Sequence, residues 1–317
     1  MNYKNKIASL CILLVALLLS PTLSQAQKVK SKPAKAKTTA QAPSTATTKS
    51  LLWEVSGNGL KQPSYLYGTY HLLNASFLNT VPEVMERFME SRGLVVETVI
   101  DSAKMMQLGT LMVMPNNKLS NLLTKEDYAL VNQEVKEQFG FELSMADQMK
   151  PMTLLLMLSL KEYQRVEALK NYTGEPMDGY FANYNKKSQK KVSTLETMEQ
   201  QFGFLYNHHP LDKQAEQLVA YIKNKDAAMQ LSNKLVELYL QKDLPGIWAL
   251  TQEYNELTGG GDMAYMTDDR NKDWMTKLPA IMKEQSTFIA VGAAHLPGEN
   301  GLLQLLQRAG YTVKPLQ

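Results

Sequence analysis

Cysteine is the scarcest reactive residue in this 317-residue chain: there is one, Cys11, inside an N-terminal apolar run. If that run is removed on maturation, disulfides, a cysteine nucleophile and thiolate metal ligands are excluded together. Leu10, just before it, is too large for the position a lipoprotein signal requires, which argues against a lipid anchor. Serine hydrolysis of the Gly-x-Ser-x-Gly kind has no nucleophile, because that pattern is absent. Gly259–Gly261 is not a phosphate loop: no strand-like run precedes it and no Lys-Ser/Thr follows. No fixed-period repeat is present, and no apolar run is long enough to span a bilayer comfortably. Histidine is also rare, with four in the chain.

A basic surface is missing too, despite the formal charge of +3. The first 50 residues hold eight lysines and no acid, so residues 51–317 carry 26 basic against 31 acidic side chains, a net of −5. That removes the main support for nucleic-acid binding. The N-terminus reads as a signal peptide over residues 1–26: Lys4 and Lys6, then "IASLCILLVALLLS", then the small residues Ser24 and Ala26 at the cleavage positions. Residues 27–50 are Lys, Ala, Ser, Thr, Gln and Pro with one Val, a disordered linker that cannot form a core. The expectation is export to a periplasm or the cell exterior, with no stable membrane span after cleavage.

From Leu51 on, strand-like and helix-like segments alternate. "LLWEVSG" and "SYLYGTY" predict a hairpin across a turn-prone "GNGLKQP". A helix follows over "NTVPEVMERFMESRG", with Thr80 and Glu83 at capping-box spacing and Pro82 in its first turn. "LVVETVI" predicts a buried strand, and residues 102–260 are mainly helical. Within them Thr124 and Gly140 punctuate one helix, another starts at Ser144 with Pro151 as a kink, and "KVSTLET" is a short strand. "TFIAVGA", "NGLLQLLQRAG" and "YTVKPL" return to β-α-β. The whole predicts an α/β fold over 51–317, a mixed sheet formed from both ends of the chain with a helical middle inserted at about 102–260.

Two of the four histidines stand in the same setting. Gly68 with His71, and Gly292 with His295, form Gly-x-x-His after apolar runs. Chance gives roughly 0.2 such matches for 17 glycines and 4 histidines in 317 positions. Glycine lets the chain turn off a strand, and the imidazole then projects at the sheet rim, where open α/β folds bind ligands. Two converging imidazoles can hold a divalent metal or share proton transfer. Glu97, alternating with Val95 and Val99, completes a two-His, one-carboxylate set. The same position also suits a carboxylate paired with a core Arg or Lys, or one facing water on an edge strand. Glu196 is a second candidate acid, with an equal structural reason as a helix-start carboxylate. Arg270 and Asn271 suit a substrate clamp or a helix cap. His208 and His209, before Pro210, read as solvent-facing loop residues.

The stretches "LLWEVSGNGLKQPSYLYGTYHLLNASF" and "FIAVGAAHLPGENGLLQLLQRAGYTVKPL" resemble the opening and the C-terminal signature of the TraB/GumN family, with "VVETV", "MKPM", "STLETMEQQ" and "RNKDWMTKLPAIM" between them in family order. The family's protease relatives, the Tiki proteins, are similar in fold to erythromycin-esterase-like and ChaN-like proteins. The resemblance implies one site from two Gly-x-x-His motifs and a glutamate, mapping onto Gly68, His71, Glu97, Gly292 and His295, with Arg270 and Asn271 nearby. It implies a metal-dependent peptidase, with Mn or Co as the ion and Zn as a further candidate, acting on a peptide or protein. A non-catalytic peptide-binding or inhibitory module using the same pocket, and a metal-free esterase-like hydrolase, are the alternatives.

Overall fold

The structure, a computed structural model, describes residues 48–188, 190–257 and 264–316. The leader, the linker up to residue 47 and Gly259–Gly261 lie outside the described residues. Six strands form one sheet: β1 (Leu52–Ser56), β2 (Ser64–Thr69), β3 (Gly93–Val96), β4 (Lys191–Thr194), β5 (Thr287–Gly292) and β6 (Thr312–Leu316), in the order β4-β3-β5-β2-β1-β6. The hairpin forms as expected, with Leu52 opposite Tyr67. β6 closes antiparallel on the other side of β1, while β2, β5, β3 and β4 run parallel. The sheet is thus mixed, drawn from both ends of the chain, and among the described residues the mainly helical middle contributes β4 alone to it. Among the described residues no helix is long and apolar enough to cross a membrane.

Every residue of β2, β3 and β5 is buried, as parallel strands covered on both faces require. Phe288 of β5 packs against Phe88 of helix Pro82–Glu90 and Phe181 of helix Met177–Ser188, with ring centroids 5.4 and 5.2 Å away. Each such ring contributes about 1.5–3 kcal/mol by burial. This aromatic contact also fixes the start of helix Met177–Ser188, which brings Asp178 to the sheet's rim. Phe288→Ala would cost about 3–5 kcal/mol and loosen that placement.

Local signals were used differently in three places. The Thr80–Glu83 capping box does not form: Ala75–Thr80 is a 3-10 turn, the Thr80 hydroxyl donates to the Phe77 carbonyl, and Val81 becomes the N-cap before Pro82. Thr197 and Gln200 form a capping box instead, at the start of helix Met198–Asn207. Pro151 does not kink a helix but begins one, Pro151–Tyr163, after a separate 3-10 turn at Leu143–Ala146. Its missing N–H costs nothing in the first turn. β3 ends at Val96, one residue before Glu97, and Val99 and Ile100 are exposed. The Glu97 carbonyl accepts from the amides of Leu195 and Glu196, so the ends of β3 and β4 are tied together there. Thr124 and Gly140 do cap helix Lys125–Phe139, the glycine at φ 79°.

Candidate functional site

Four neighbouring parallel strands each deliver one candidate residue at the carboxyl end. β2 turns off to His71, β5 leads into the 3-10 turn Ala293–His295, β3 is followed at once by Glu97, and β4 is followed two residues later by Glu196. Register makes the convergence tight, with Thr69 beside Gly292 and Val96 beside Ala290. The Nε2 atoms of His71 and His295 each lie 3.9 Å from Glu97 Oε1. Two glycines make room for this. A Cβ on Gly68 would lie 3.0 Å from Ala293 Cα, and one on Gly292 would lie 3.2 Å from His71 Nε2 and 3.3 Å from Glu97 Oε1. The two Gly-x-x-His motifs and Glu97 therefore meet around Gly292.

His71 has a partner the sequence did not disclose. Its Nδ1 lies 2.8 Å from Asp178 Oδ2, and Thr69 donates its hydroxyl to Asp178 Oδ1 at 2.6 Å. A carboxylate only accepts, so Nδ1 carries the proton and Nε2 faces Glu97 and the cleft. Burial alone would lower the His71 pKa, but the Asp178 carboxylate, helped by Glu97, raises it to about 9. Asp178 left no local signal, lying 107 residues beyond His71. The one clue was an acid opening a segment rich in aromatics, "MDGYF".

His295 is held in the opposite sense. Asn271 donates its Nδ2 to the carbonyls of His295 and Asn300, which turns its Oδ1 toward His295 Nδ1 at 2.7 Å. Nδ1 is then the protonated nitrogen, and the Nε2 lone pair accepts from Arg270 Nη1 at 3.1 Å. Burial, then the Arg270 charge, push the His295 pKa down to about 3, so this imidazole is neutral. Trp274 packs on its ring at 4.2 Å between centroids.

Arg270 binds the cluster together. Its Nε and Nη2 reach the two oxygens of Glu196 at 2.6 and 3.0 Å, Nη2 also reaches Glu97 Oε2 at 2.7 Å, and Nη1 also donates to the Met266 carbonyl. With His295, all five N–H donors are engaged. Trp274 Nε1 donates to Glu196 Oε1 at 2.7 Å, so both Glu196 oxygens are occupied. Glu196 and Arg270 thus form a buried clamp behind the histidines, with their polar atoms turned toward each other, while the polar atoms of Asn271 go to His295 and Asn300. Glu97 accepts from the Gly292 amide at 2.8 Å and from Gln201 at 3.3 Å. Burial opposes its charge, but Arg270 first, then the two histidines and the amide, hold its pKa at about 2.

His208 and His209 lie apart from this site in the loop before Pro210, His208 exposed and stacked on Tyr265 at 3.4 Å. The site opens onto a cleft, partly open to solvent, whose floor is Thr69, His71, Gly292 and His295.

The family model of the TraB/PrgY/gumN family matches residues 51–315. The chain belongs to this family. The match starts before β1 and ends within β6, so it takes in every residue of the site. No curated protein and no solved structure matches the chain.

Among the described residues no group of three or more His, Cys, Asp or Glu side chains is arranged to hold a metal ion. The geometry gives the reason. The His295 lone pair is taken by a guanidinium, so a cation bound there would have to displace Arg270. His71 Nε2 and Glu97 Oε1 remain as two donors facing one another beside the cleft. Around them three carboxylates, Asp178, Glu97 and Glu196, are set against the Arg270 guanidinium and the His71 imidazolium, and once His71 gives up its proton the guanidinium alone faces them. That excess of negative charge favours a cation. The residues therefore fit a divalent ion at two protein donors, with His295 a third only if Arg270 moves.

Proposed function

We propose that this member of the family is an exported, metal-dependent hydrolase acting on peptide bonds. The observation that carries the reading is the pair formed by Asp178-oriented His71, on the floor of an apolar cleft, and Glu97 just behind it. Asp178 holds the Nδ1 proton and aims Nε2 into the site, the outer-partner arrangement that orients a ligating or proton-transferring imidazole. Glu97, fixed through Oε2 by Arg270 and through Oε1 by the Gly292 amide, presents a charged oxygen that does not reorganise. The Arg270–Glu196–Trp274 clamp and Asn271 keep His295 neutral and immobile beside it. A divalent ion such as Mn, Co or Zn, held by His71 and Glu97, would polarise the scissile carbonyl and acidify a water. Export rests on the leader, "IASLCILLVALLLS", and its small-residue cleavage site.

One observation favours acid–base hydrolysis without an ion: Asp178, bonded to Nδ1, keeps the buried His71 protonated up to about pH 9, so that its Nε2 can donate a proton into the site. The two readings separate in one experiment. The full chain, freed of metal with a chelator, is assayed on a peptide library with and without Mn, and its metal content is measured. Cleavage restored by Mn and lost in His71→Ala supports the metal reading. Cleavage indifferent to the chelator moves the assignment to acid–base catalysis. A folded, Mn-loaded protein that cleaves nothing overturns both.

A further inference from the structure

Beyond His71 and His295, the described residues lining the cleft include no Asp, Glu, Lys or Arg. Its walls come from two helices. Helix Lys225–Leu240 contributes Leu235 and Tyr239, one turn apart, and helix Leu244–Leu257 contributes Ile247 and Leu250 from one face. Tyr239 and Ile247 are buried at 1% and 2%, while Leu235 is only half-buried. The apolar surface therefore deepens from a mouth at Leu235 toward Ile247, with the reactive floor at Gly292 alongside. Tyr239 is anchored by donating its hydroxyl to the Gly68 carbonyl at 2.8 Å, which ties this wall to the first Gly-x-x-His motif.

We infer that this wall is a specificity pocket, and that the substrate residue flanking the scissile amide carries a bulky uncharged side chain, aliphatic or aromatic. The inference rests on the hydrolase reading and names its substrate class. A carboxylate seated against this wall would lose its water and meet no cation on it, since Leu235, Tyr239, Ile247 and Leu250 carry none and every Arg270 N–H is already engaged. A lysine would likewise find no carboxylate in the lining. The mouth is partly open to solvent, so a side chain can enter from outside while its apolar surface is covered by Leu235, Tyr239, Ile247 and Leu250.

The test measures kcat/KM on matched peptides with Leu, Phe, Ala, Asp or Lys beside the cut, for the wild-type full chain and for Leu235→Arg. Leu235 is half-buried at the mouth, where an arginine can lay its stem on the apolar wall and turn its guanidinium toward solvent or an entering acidic side chain. The wild type is expected to favour Leu and Phe over Ala by at least tenfold, and over Asp and Lys by more. Leu235→Arg should raise the Asp peptide relative to the Leu peptide by at least tenfold. Equal cleavage of all five peptides, or a ranking unchanged in the variant, overturns the inference. Binding of N-acetyl-leucinamide, followed by saturation-transfer NMR, separates this inference from the reading beneath it. If no peptide is cut but the probe binds and Leu235→Arg weakens it at least tenfold, the pocket stands and the hydrolase reading falls. If peptides are cut but the probe does not bind, the pocket falls and the hydrolase reading stands.

Discussion

Asp178→Asn removes one charge while keeping the side chain's shape. In the native protein burial pulls the His71 pKa down, and Asp178, with a smaller share from Glu97, overcomes it and raises the value from 6.5 to about 9. With asparagine, Glu97 is left to act against burial and Arg270, and His71 is expected to titrate below 6.5. The sign of the linked stability follows. Between pH 6.5 and 9 the native state keeps a proton that the unfolded chain has released. The stabilisation from His71 is therefore complete below pH 6.5 and is lost as pH rises through about 9. At roughly 1.4 kcal/mol per pH unit, the loss amounts to about 3 kcal/mol. His71 is 6% exposed, so little of this is screened by solvent.

The assay is urea unfolding of the full chain in chelator at pH 6.5 and 9.5, with ring-nitrogen NMR following His71 directly. Wild type should lose about 3 kcal/mol across that interval, and Asp178→Asn should be nearly flat. The asparagine amide can face His71 with either its oxygen or its nitrogen, but both orientations lack the charge, so the direction does not depend on which is adopted. A His71 that still titrates above pH 8 in Asp178→Asn would refute the assignment of Asp178 as its partner.

Three further outcomes are expected. Arg270→Met leaves Glu97 and Glu196 buried without their cation and should cost about 3–5 kcal/mol by urea unfolding; adding Glu196→Gln to it should cost less than the sum of the two single changes. Gly292→Ala is free of backbone strain at φ −53° and ψ 136°, but its methyl lies 3.2 Å from His71 Nε2 and 3.3 Å from Glu97 Oε1; unfolding should show a loss of about 1–3 kcal/mol while Mn binding falls at least about tenfold. Mn binding to the wild type near pH 7.5 should release about one proton as His71 gives it up, read by calorimetry in buffers of different ionisation enthalpy, and His71→Ala should abolish both the binding and the release.

How much of this was legible in the sequence depends on where each residue's partner lies along the chain. His71, Glu97 and His295 were legible because each follows an apolar run directly, and strand ends place such residues whatever the rest of the chain does. The order of the strands was not legible. β3 lies between β4, from which the helical middle separates it in the chain, and β5, which comes only after β4, and the interleaving is decided by how Phe88, Phe181 and Phe288 pack from three separate segments. Arg270 and Glu196 were legible as residues of interest but not in their roles. A guanidinium near histidines suits a substrate clamp until its donors are accounted for, and here they go to Glu97, Glu196, Met266 and His295, from four parts of the chain. Asp178 was missed for the same reason taken further, since its only relation to His71 is spatial. Short-range pattern finds groups that a strand end positions, whereas the side chains that set their charge are chosen by packing, and those are the ones that decide whether His71 offers a proton or a lone pair.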